Sequence, residues 1–440
     1  MGEARNDVTL IEHAQLKSPP SEVINMNDYR PAKLPPKPAS TSNWNPQQLR
    51  PPPAFYPLEK STRVIEGATA TEIAKRISDC LRTLSVHAQY NDETATANLL
   101  TDENVELHLC LWQTPVEYHP QGIMVELQRR KGDSIAFHRY SRSILDAAVM
   151  DSDYTPLDDF SAAKYRKVER MLSVEMNNRD LKEQENAIIA IEIAHSLLKK
   201  DRLDATLLGL ESLCLLTDPR KTGHVTAVLA AHVVLLGSIQ GISIEELGET
   251  PSDVMLDESP FQEIREHILN LVQFNRIVDM EEAADEVEES IDEEHHKVLH
   301  NLALAVLANS LDVIEQSDRF NDMDDNEPED TKPRARLRTT SSNEVAEEFL
   351  NQAGEHSQRD ILKTLVAELG KAEAKPHNAT LSAKCIGSLL RASEEARKRA
   401  QELGAKQVVQ TALDVGVRTH LKLETECKKV VTILQRPQQD

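Results

Sequence analysis

Three histidines at the start of a predicted helix have spacing that could bind a metal. His296 and His300 are four residues apart, so a helix would place both rings on one face, where they could hold zinc. The local sequence, EEHHKVLH, is not the HExxH signature, and besides the adjacent His295 no cysteine or further histidine lies close. We therefore predict that these histidines are solvent-facing and partly capping, with no metal bound.

The residues Asp322, Asp324 and Asn326 imitate the first ligands of a calcium-binding loop. Such a loop needs a glycine at its sixth position and a bidentate glutamate at its twelfth. Glu327 and Pro333 occupy those positions here. The sequence thus predicts no calcium site, and it gives no sign of any other cofactor.

A basic segment, KPRARLRTTSS, spans 332–342. Arg336 and Arg338 precede Thr339 and Thr340 with a spacing that suits basophilic kinases, whose acidic pockets pair well with guanidinium groups. A phosphate here would lie just before a helix predicted from 342 and could cap it. We predict Thr339 and Thr340 as candidate phosphosites; a nuclear import signal and a chance match are the alternatives.

Signatures of catalysis are missing from the sequence. It contains no P-loop, no GxSxG, no GxGxxG in a strand context, and no local pattern for a Ser-His-Asp or Cys-His arrangement. We therefore predict no catalytic residues and a protein that is not an enzyme.

Composition favours helices and an acidic surface. Of the 440 residues, 40% are hydrophobic but 4% are aromatic, which suits helix-on-helix packing better than a β-sandwich. The net charge of −23 argues against general binding of nucleic acid, where Lys and Arg must neutralise phosphates. The acidic run at 280–296 is either a solvated segment or a site for a partner with a basic surface.

The cysteines and the ends of the chain bear on its compartment. Five widely spaced cysteines without a CxxC are typical of reduced thiols in an intracellular protein. The N-terminus lacks a secretory pattern, and the apolar run from Val225 to Leu236 is too short to span a bilayer, so we expect a buried helix there. These features predict a cytoplasmic protein, with the nucleus as the alternative.

The N-terminal residues 1–60 form a Pro-rich arm. They hold 11 of the 21 prolines, in runs such as PAKLPPKPAS that cannot continue a helix or a central strand. We predict that this arm is disordered.

Residues 61–149 change in pattern and predict a small α+β domain. A helical stripe runs through 68–84, where Thr69 and Glu72 have capping-box spacing. Alternating apolar residues at 105–112 and 122–130 indicate strands, about three in all, and helical spacing returns at 134–149. The expected order is a helix, then the strands, then a closing helix.

The last strand and helix of this segment, LQRRKGDSIAFHRYSRSIL, resemble the kinase-associated C-terminal domain that ends several Ser/Thr kinase families. Members of that family serve as regulatory modules, and some bind anionic lipid headgroups through basic residues near this strand. The resemblance implies contact with lipid, a kinase or another partner. The implied contact residues are Arg129, Arg130, Lys131, Arg139 and Arg142.

The remainder of the chain is predicted to be helical. A linker with a polar helix spans 150–181, and successive amphipathic helices fill 182–436. Segments rich in Gly, Pro or charge interrupt them as insertions at 238–259 and 317–341.

One helical stretch, SAKCIGSLLRASEEARKRAQELGAKQVVQTALDVG at 382–416, resembles an armadillo repeat. The likeness includes Gly404, which could allow a sharp turn before the last helix. The resemblance implies an armadillo-like α-solenoid, about four imperfect repeats long, that binds a protein partner. The acidic balance of the chain favours a partner with a basic segment. The fold class predicted for the whole chain is mostly α. The alternative function is a regulatory or peripheral membrane module acting through the small domain.

Overall fold

The computed structural model describes most of the chain after residue 43. The described residues are 44–46, 48–53, 55–56, 59–114, 122–149, 180–239, 243–245, 259–281, 291–324, 336–338, 341–357 and 360–435. Most of the predicted arm, nearly all of the 150–181 linker, the core of the acidic run, and Thr339 and Thr340 lie outside these ranges. The described residues belong to one compact unit that begins at Thr41. They are mostly helical, with a five-stranded antiparallel sheet near the N-terminus, as predicted for the fold class.

The sheet part contains five strands and two helices. Its sheet is antiparallel throughout, with strand order β1-β5-β4-β3-β2. In chain order the elements are β1 (Thr62–Ile65), α1 (Ala70–Leu84), β2 (His87–Asn91), β3 (Thr96–Leu100), β4 (Glu106–Gln113), β5 (Ile123–Lys131) and α2 (Ser134–Val149).

The alternation seen in the sequence builds the core of the sheet part. Leu107, Leu109 and Leu111 of β4 are buried and face the same core as Val125 and Leu127 of β5. The stripe of α1 packs onto them, and the predicted capping box between Thr69 and Glu72 is present at its N-terminus. Period-two and period-3.6 apolar patterns thus meet in one core.

Three sequence predictions differ from the structure here. The sheet has five strands, where about three were predicted. A short strand, β1, precedes the first helix, and it pairs with the last strand, β5, so the expected helix-first order is wrong. Residues 44–46, 48–53 and 55–56, which we assigned to the disordered arm, contribute to the sheet part. Trp44 is 2% exposed and stacks on Tyr90. Burying an indole ring outweighs the proline content that led us to place the boundary at residue 60.

The helical part contains twelve helices and two short strands within the described ranges. Their bounds are α3 (Asp180–Leu198), α4 (Leu203–Leu216), α5 (Pro219–Thr222), α6 (His224–Leu236), β6 (Ser243–Glu245), α7 (Ser259–Glu281), α8 (Ile291–Asp324), β7 (Arg336–Arg338), α9 (Ser342–Ser357), α10 (Ile361–Leu369), α11 (Pro376–Ala392), α12 (Glu394–Glu402), α13 (Ala405–Thr419) and α14 (Leu421–Leu434). One continuous apolar core runs through it, from Ala187 to Leu434.

Local sequence signals start and end these helices. Asp360 and Ser393 are N-caps whose side chains accept the backbone N–H of Lys363 and Ala396, respectively. Gly404 has φ +69° between α12 and α13, the left-handed conformation that the predicted turn requires. The short apolar run that we predicted to be a buried helix is α6, in which every residue from 226 to 236 is buried.

The longest helix, α8, lies at the centre of the helical part. Its segment His295–Ser317 is long and apolar enough to cross a membrane by length and composition alone. However, 61% of its apolar 18-residue stretch is buried within the protein. It contacts α4, α6, α7 and α11. We placed an insertion from residue 317, whereas α8 continues to Asp324. Residues 317–324 include no Pro or Gly that would end a helix.

The two predicted insertions meet each other. Strand β6 lies in the first insertion and β7 in the second, and they pair antiparallel, with Ile244 opposite Leu337. Residues almost a hundred positions apart therefore form a two-stranded sheet. No local pattern distinguishes such a pairing from two independent loops, because the backbone partner of each strand comes from the other segment.

Candidate functional site

The five basic residues implied by the kinase-associated resemblance are all exposed, but most are engaged with acids. Lys131 lies 4.0 Å from Glu106, Arg139 bonds Glu103, and Arg142 lies 3.9 Å from Asp146. Arg129 donates to the carbonyl of Gly132 at 2.7 Å. Arg130 is exposed as well. This partial neutralisation weakens the positive potential that an anionic lipid headgroup would need.

The histidines with metal spacing do not come together as a site. Within the described ranges, no group of three or more His, Cys, Asp or Glu side chains could hold a metal ion. His296 is exposed, but our solvent-facing prediction is wrong for His300, which is buried. Its Nδ1 lies 2.9 Å from the carbonyl oxygen of Leu271, and its Nε2 lies 3.7 Å from Glu368.

Glu368 is the acidic partner in that buried cluster. Burial by itself would raise the pKa of this carboxyl, but His300 and Lys371, whose Nζ lies 2.9 Å away, lower it to about 2. His300 therefore joins α8 to α10 as a structural contact. Helical spacing places His300 on the same face of α8 as His296. It cannot show that this face becomes buried one turn further along the helix.

The five cysteines are free thiols. Burial raises the pKa of each to about 12, so all five are protonated at neutral pH. None has the lowered pKa that an activated nucleophile needs.

Polar contacts join the sheet part to the C-terminal helices. Arg82 of α1 donates to the carbonyl of Val417 at 2.7 Å and to Glu424 at 2.5 Å. Lys422 at the start of α14 pairs with Asp102, and its backbone N–H donates to Ser85 at 2.9 Å. We name this set of contacts between the sheet part and the C-terminal helices the junction. Burial by itself would raise the pKa of Asp102, but Lys422 and Tyr140 lower it.

Two histidines extend the junction as a chain of hydrogen bonds. His377 Nε2 donates to the carbonyl of Leu100 in β3 (2.9 Å), and His420 Nε2 donates to His377 Nδ1 (3.2 Å). His420 Nδ1 then accepts the backbone N–H of Leu423 (3.2 Å), which caps α14. Each ring uses one N–H and one lone pair, so the chain requires both rings to be neutral.

Exposed aliphatic side chains concentrate on α3 and α4. Of ten large hydrophobic side chains that are exposed among the described residues, five lie on these two helices. Ile189 is 53% exposed, Ile193 55%, Leu208 52% and Leu215 46%. We call these four residues with the half-buried Ser212 the α3–α4 face. Clusters of exposed apolar side chains are typical of surfaces that contact a partner or a membrane.

Close helix packing makes the face continuous. Gly209 lies against α3: a Cβ at this position would come 2.9 Å from Leu198 Cδ2 and 3.2 Å from the carbonyl oxygen of Ala194. The missing side chain lets α3 and α4 approach, so that their outer stripes adjoin.

A small cavity lies elsewhere, between α6, α8, α9 and α11. Its volume is about 210 Å³. Leu235, Leu311 and Val345 line it, and three of its polar side chains bond one another: Arg391 and Ser388 both donate to Glu315, at 2.5 and 3.0 Å. The two charged side chains of the cavity are thus paired with each other.

Comparisons of the chain with protein-family models, with curated proteins and with solved structures found no match. The two resemblances therefore rest on the residues quoted for them.

The residues of the α3–α4 face and of the junction were not predicted as sites. A signal for the face existed, because α3 contains Ile188, Ile189, Ile191 and Ile193, which cannot all fit one buried stripe. No signal existed for the junction, since His377 and Leu100 are 277 residues apart.

Proposed function

We propose that this chain is a non-enzymatic scaffold that binds a partner protein through its helical part, and that this part is an armadillo-like repeat array. The observation that carries the proposal is the concentration of exposed aliphatic side chains on α3 and α4. An acidic chain with such a surface suits a partner that has a basic segment, because opposite charge raises the encounter rate.

The repeat assignment is supported by how the helices pack. Contacts pass from α3 to α6, from α6 to α8, from α8 to α11 and from α11 to α14. Repeat arrays bury their core in this way, between neighbouring helix layers, and leave outer faces for binding. Gly404 at its left-handed φ fits the turn of the armadillo resemblance. We place this activity in the cytoplasm, with the nucleus as the alternative.

Cross-linking of the full chain with its captured partners tests the proposal. We expect cross-linked peptides to map to 180–435 and capture to be lost at high salt. The full chain is the suitable reagent because the junction ties the two parts together. Cross-links confined to 44–149 would contradict the proposal and favour a regulatory or membrane role for the sheet part, with a kinase among the partners to consider.

A further inference from the structure

The α3–α4 face has two helices that each present an aliphatic edge to the same groove. On α3, His195 contacts Glu263 of α7 at 2.7 Å, which places α7 on one side of the helix. Helical spacing puts Ile189 and Ile193 about 120° and 160° around the helix from His195, on the outer surface, with Ile193 nearer to α4. The inner face of α3 consists of Ala187, Ile191, Ala194 and Leu198.

The second edge comes from α4. Cys214 lies 3.6 Å from the carbonyl oxygen of Leu302, which places α8 on that side of α4. Leu208, Ser212 and Leu215 lie on the outer surface, about 100–160° around the helix from Cys214, with Ser212 the nearest of the three to α3. Leu208 and Leu215 are two turns apart, about 10 Å along the helix axis. The apolar groove is therefore long enough for two turns of a partner helix.

Acidic residues border this groove on both edges. Helical spacing places Glu185 and Glu192 beside the isoleucines, on the edge away from α4, and Glu211 beside the leucines, on the edge away from α3. All three are exposed, and none forms an ion pair within the part of the chain that the structure describes. Two of the nearby cations are engaged, since Lys199 pairs with Glu263 at 3.1 Å and Arg202 with Asp204 at 2.5 Å, while Lys200 just after α3 is exposed.

The groove suits a helix better than an extended peptide. An extended segment needs partners for its backbone N–H and C=O groups, whereas a helix satisfies its own. The backbone groups of α3 and α4 within the groove bond within those helices. Ser212 is the polar side chain of the face, and its hydroxyl donates to the carbonyl of Leu208 at 2.7 Å.

We propose that the α3–α4 face binds an amphipathic α-helix of a partner protein, with its aliphatic stripe in the groove and Lys or Arg on both flanks facing Glu185, Glu192 and Glu211. This inference rests on the proposed function and names the class of partner. The same acids would repel a second copy of this chain and an anionic bilayer.

A synthetic peptide tests the proposal against the full chain. The probe is an 18-residue, end-capped, fluorescein-labelled peptide of Leu and Lys, with Leu at i, i+3, i+4 and i+7; the control peptide has the same composition in an order without an apolar face. By anisotropy, we expect the patterned peptide to bind about tenfold more tightly, which corresponds to the net burial of about one aliphatic side chain.

Variants of exposed residues locate the binding site. The double change Ile193→Ser with Leu208→Ser should weaken binding about tenfold, whereas Ile135→Ser, a 78% exposed aliphatic on α2, should leave it unchanged. Glu192→Gln with Glu211→Gln should weaken binding about threefold at low salt and reduce its salt dependence, and Glu402→Gln on α12 should not.

Four results would overturn the proposal. The first is that both peptides bind equally, and the second is that the Ile193/Leu208 double variant binds the patterned peptide as well as the parent chain does. The third is that the parent chain is a dimer and the double variant is a monomer. The fourth is that the parent chain binds uncharged vesicles and the double variant does not. The last two would assign the face to a second copy or to a bilayer. After any of these four results, the scaffold proposal would still hold if cross-links from natural partners map to 180–435.

Discussion

His420 donates through Nε2 to Nδ1 of His377 at 3.2 Å, and this bond joins the cap of α14 to a residue that contacts the sheet. Protonation of His377 at Nδ1 would remove the acceptor, and protonation of His420 at Nδ1 would remove the cap of Leu423. Burial lowers the pKa of His377 and, with the charge of His377, lowers the pKa of His420 to about 3. Lys422 also faces both rings and disfavours their protonation, whereas Asp102 favours it.

The first prediction is that stability falls as the pH falls below about 6.5. A folded pKa below the unfolded value means that the unfolded chain binds more protons, so stability is present above pH 6.5 and is lost on acidification. Between pH 7.5 and 5.8, His420 alone should cost about 1 kcal/mol in the free energy of unfolding. Urea titrations at these two pH values measure this loss of stability, and both pH values lie above the pI of about 5.1.

A matched pair of variants distinguishes the contribution of His420 to the pH dependence of stability from that of an exposed histidine. His420→Asn keeps an N-cap acceptor but cannot titrate, so it should flatten the pH dependence. His138→Asn on α2, an exposed position, should leave the slope as in the parent chain. Equal slopes in all three proteins would show that the histidine chain does not set the pH response.

The second prediction concerns Arg82, which bonds Val417 and Glu424 across the junction. Arg82→Met should cost about 1–3 kcal/mol, because a carbonyl and a largely buried carboxylate lose a donor. Hydrogen exchange should then increase at the start of α14. The control is Arg63→Met, which breaks a more exposed pair with Asp146 and should cost less than about 1 kcal/mol. A similar cost for both changes would argue against a tight junction.

The third prediction concerns Gly404, whose φ is +69° and whose N–H donates to Gln401 at 3.0 Å. A Cβ at this position would meet no atom within 4 Å, so Gly404→Ala should cost about 1 kcal/mol from backbone strain alone. Gly404→Asn should cost less, because Asn tolerates this region. Gly404→Pro should cost about 3 kcal/mol or more and loosen α13. Thermal unfolding measures the series, and a proline variant as stable as the alanine variant would contradict it.

The fourth prediction concerns the contact of Gly209 with α3. Gly209→Ala should cost about 1–2 kcal/mol, because the backbone carbonyl of Ala194 cannot move away as freely as a side chain. Ser212→Ala, on the same helix, should change stability by less than about 0.5 kcal/mol. The urea midpoint gives both values. A stabilised alanine variant would mean that the gain in helix propensity exceeds the steric cost.

The fifth prediction is that the chain binds anionic vesicles no better than uncharged ones. Residues 61–149 hold nine Lys and Arg against twelve Asp and Glu, and Lys131, Arg139 and Arg142 each face an acid. Changing Arg129, Arg130 and Lys131 to Ala should therefore not alter co-sedimentation. Salt-sensitive binding that this triple variant loses would instead support lipid recognition by the sheet part.

The sequence by itself determined those features whose whole pattern lies within one short segment. The period-two run at Leu107, Leu109 and Leu111 and the capping box at Thr69 are local patterns, and the structure confirms both. Gly404 was predictable for the same reason, since one residue carries the backbone freedom that the turn needs.

Tertiary structure alone decided which residues meet at long range. The burial of Trp44, the pairing of β6 with β7, the inward turn of His300 and the contact of His377 with Leu100 each depend on segments far apart in the chain. The sequence showed that the isoleucines of α3 cannot all be buried, but tertiary structure decided that Ile189 and Ile193 are the exposed ones, because burial depends on which helices pack against α3.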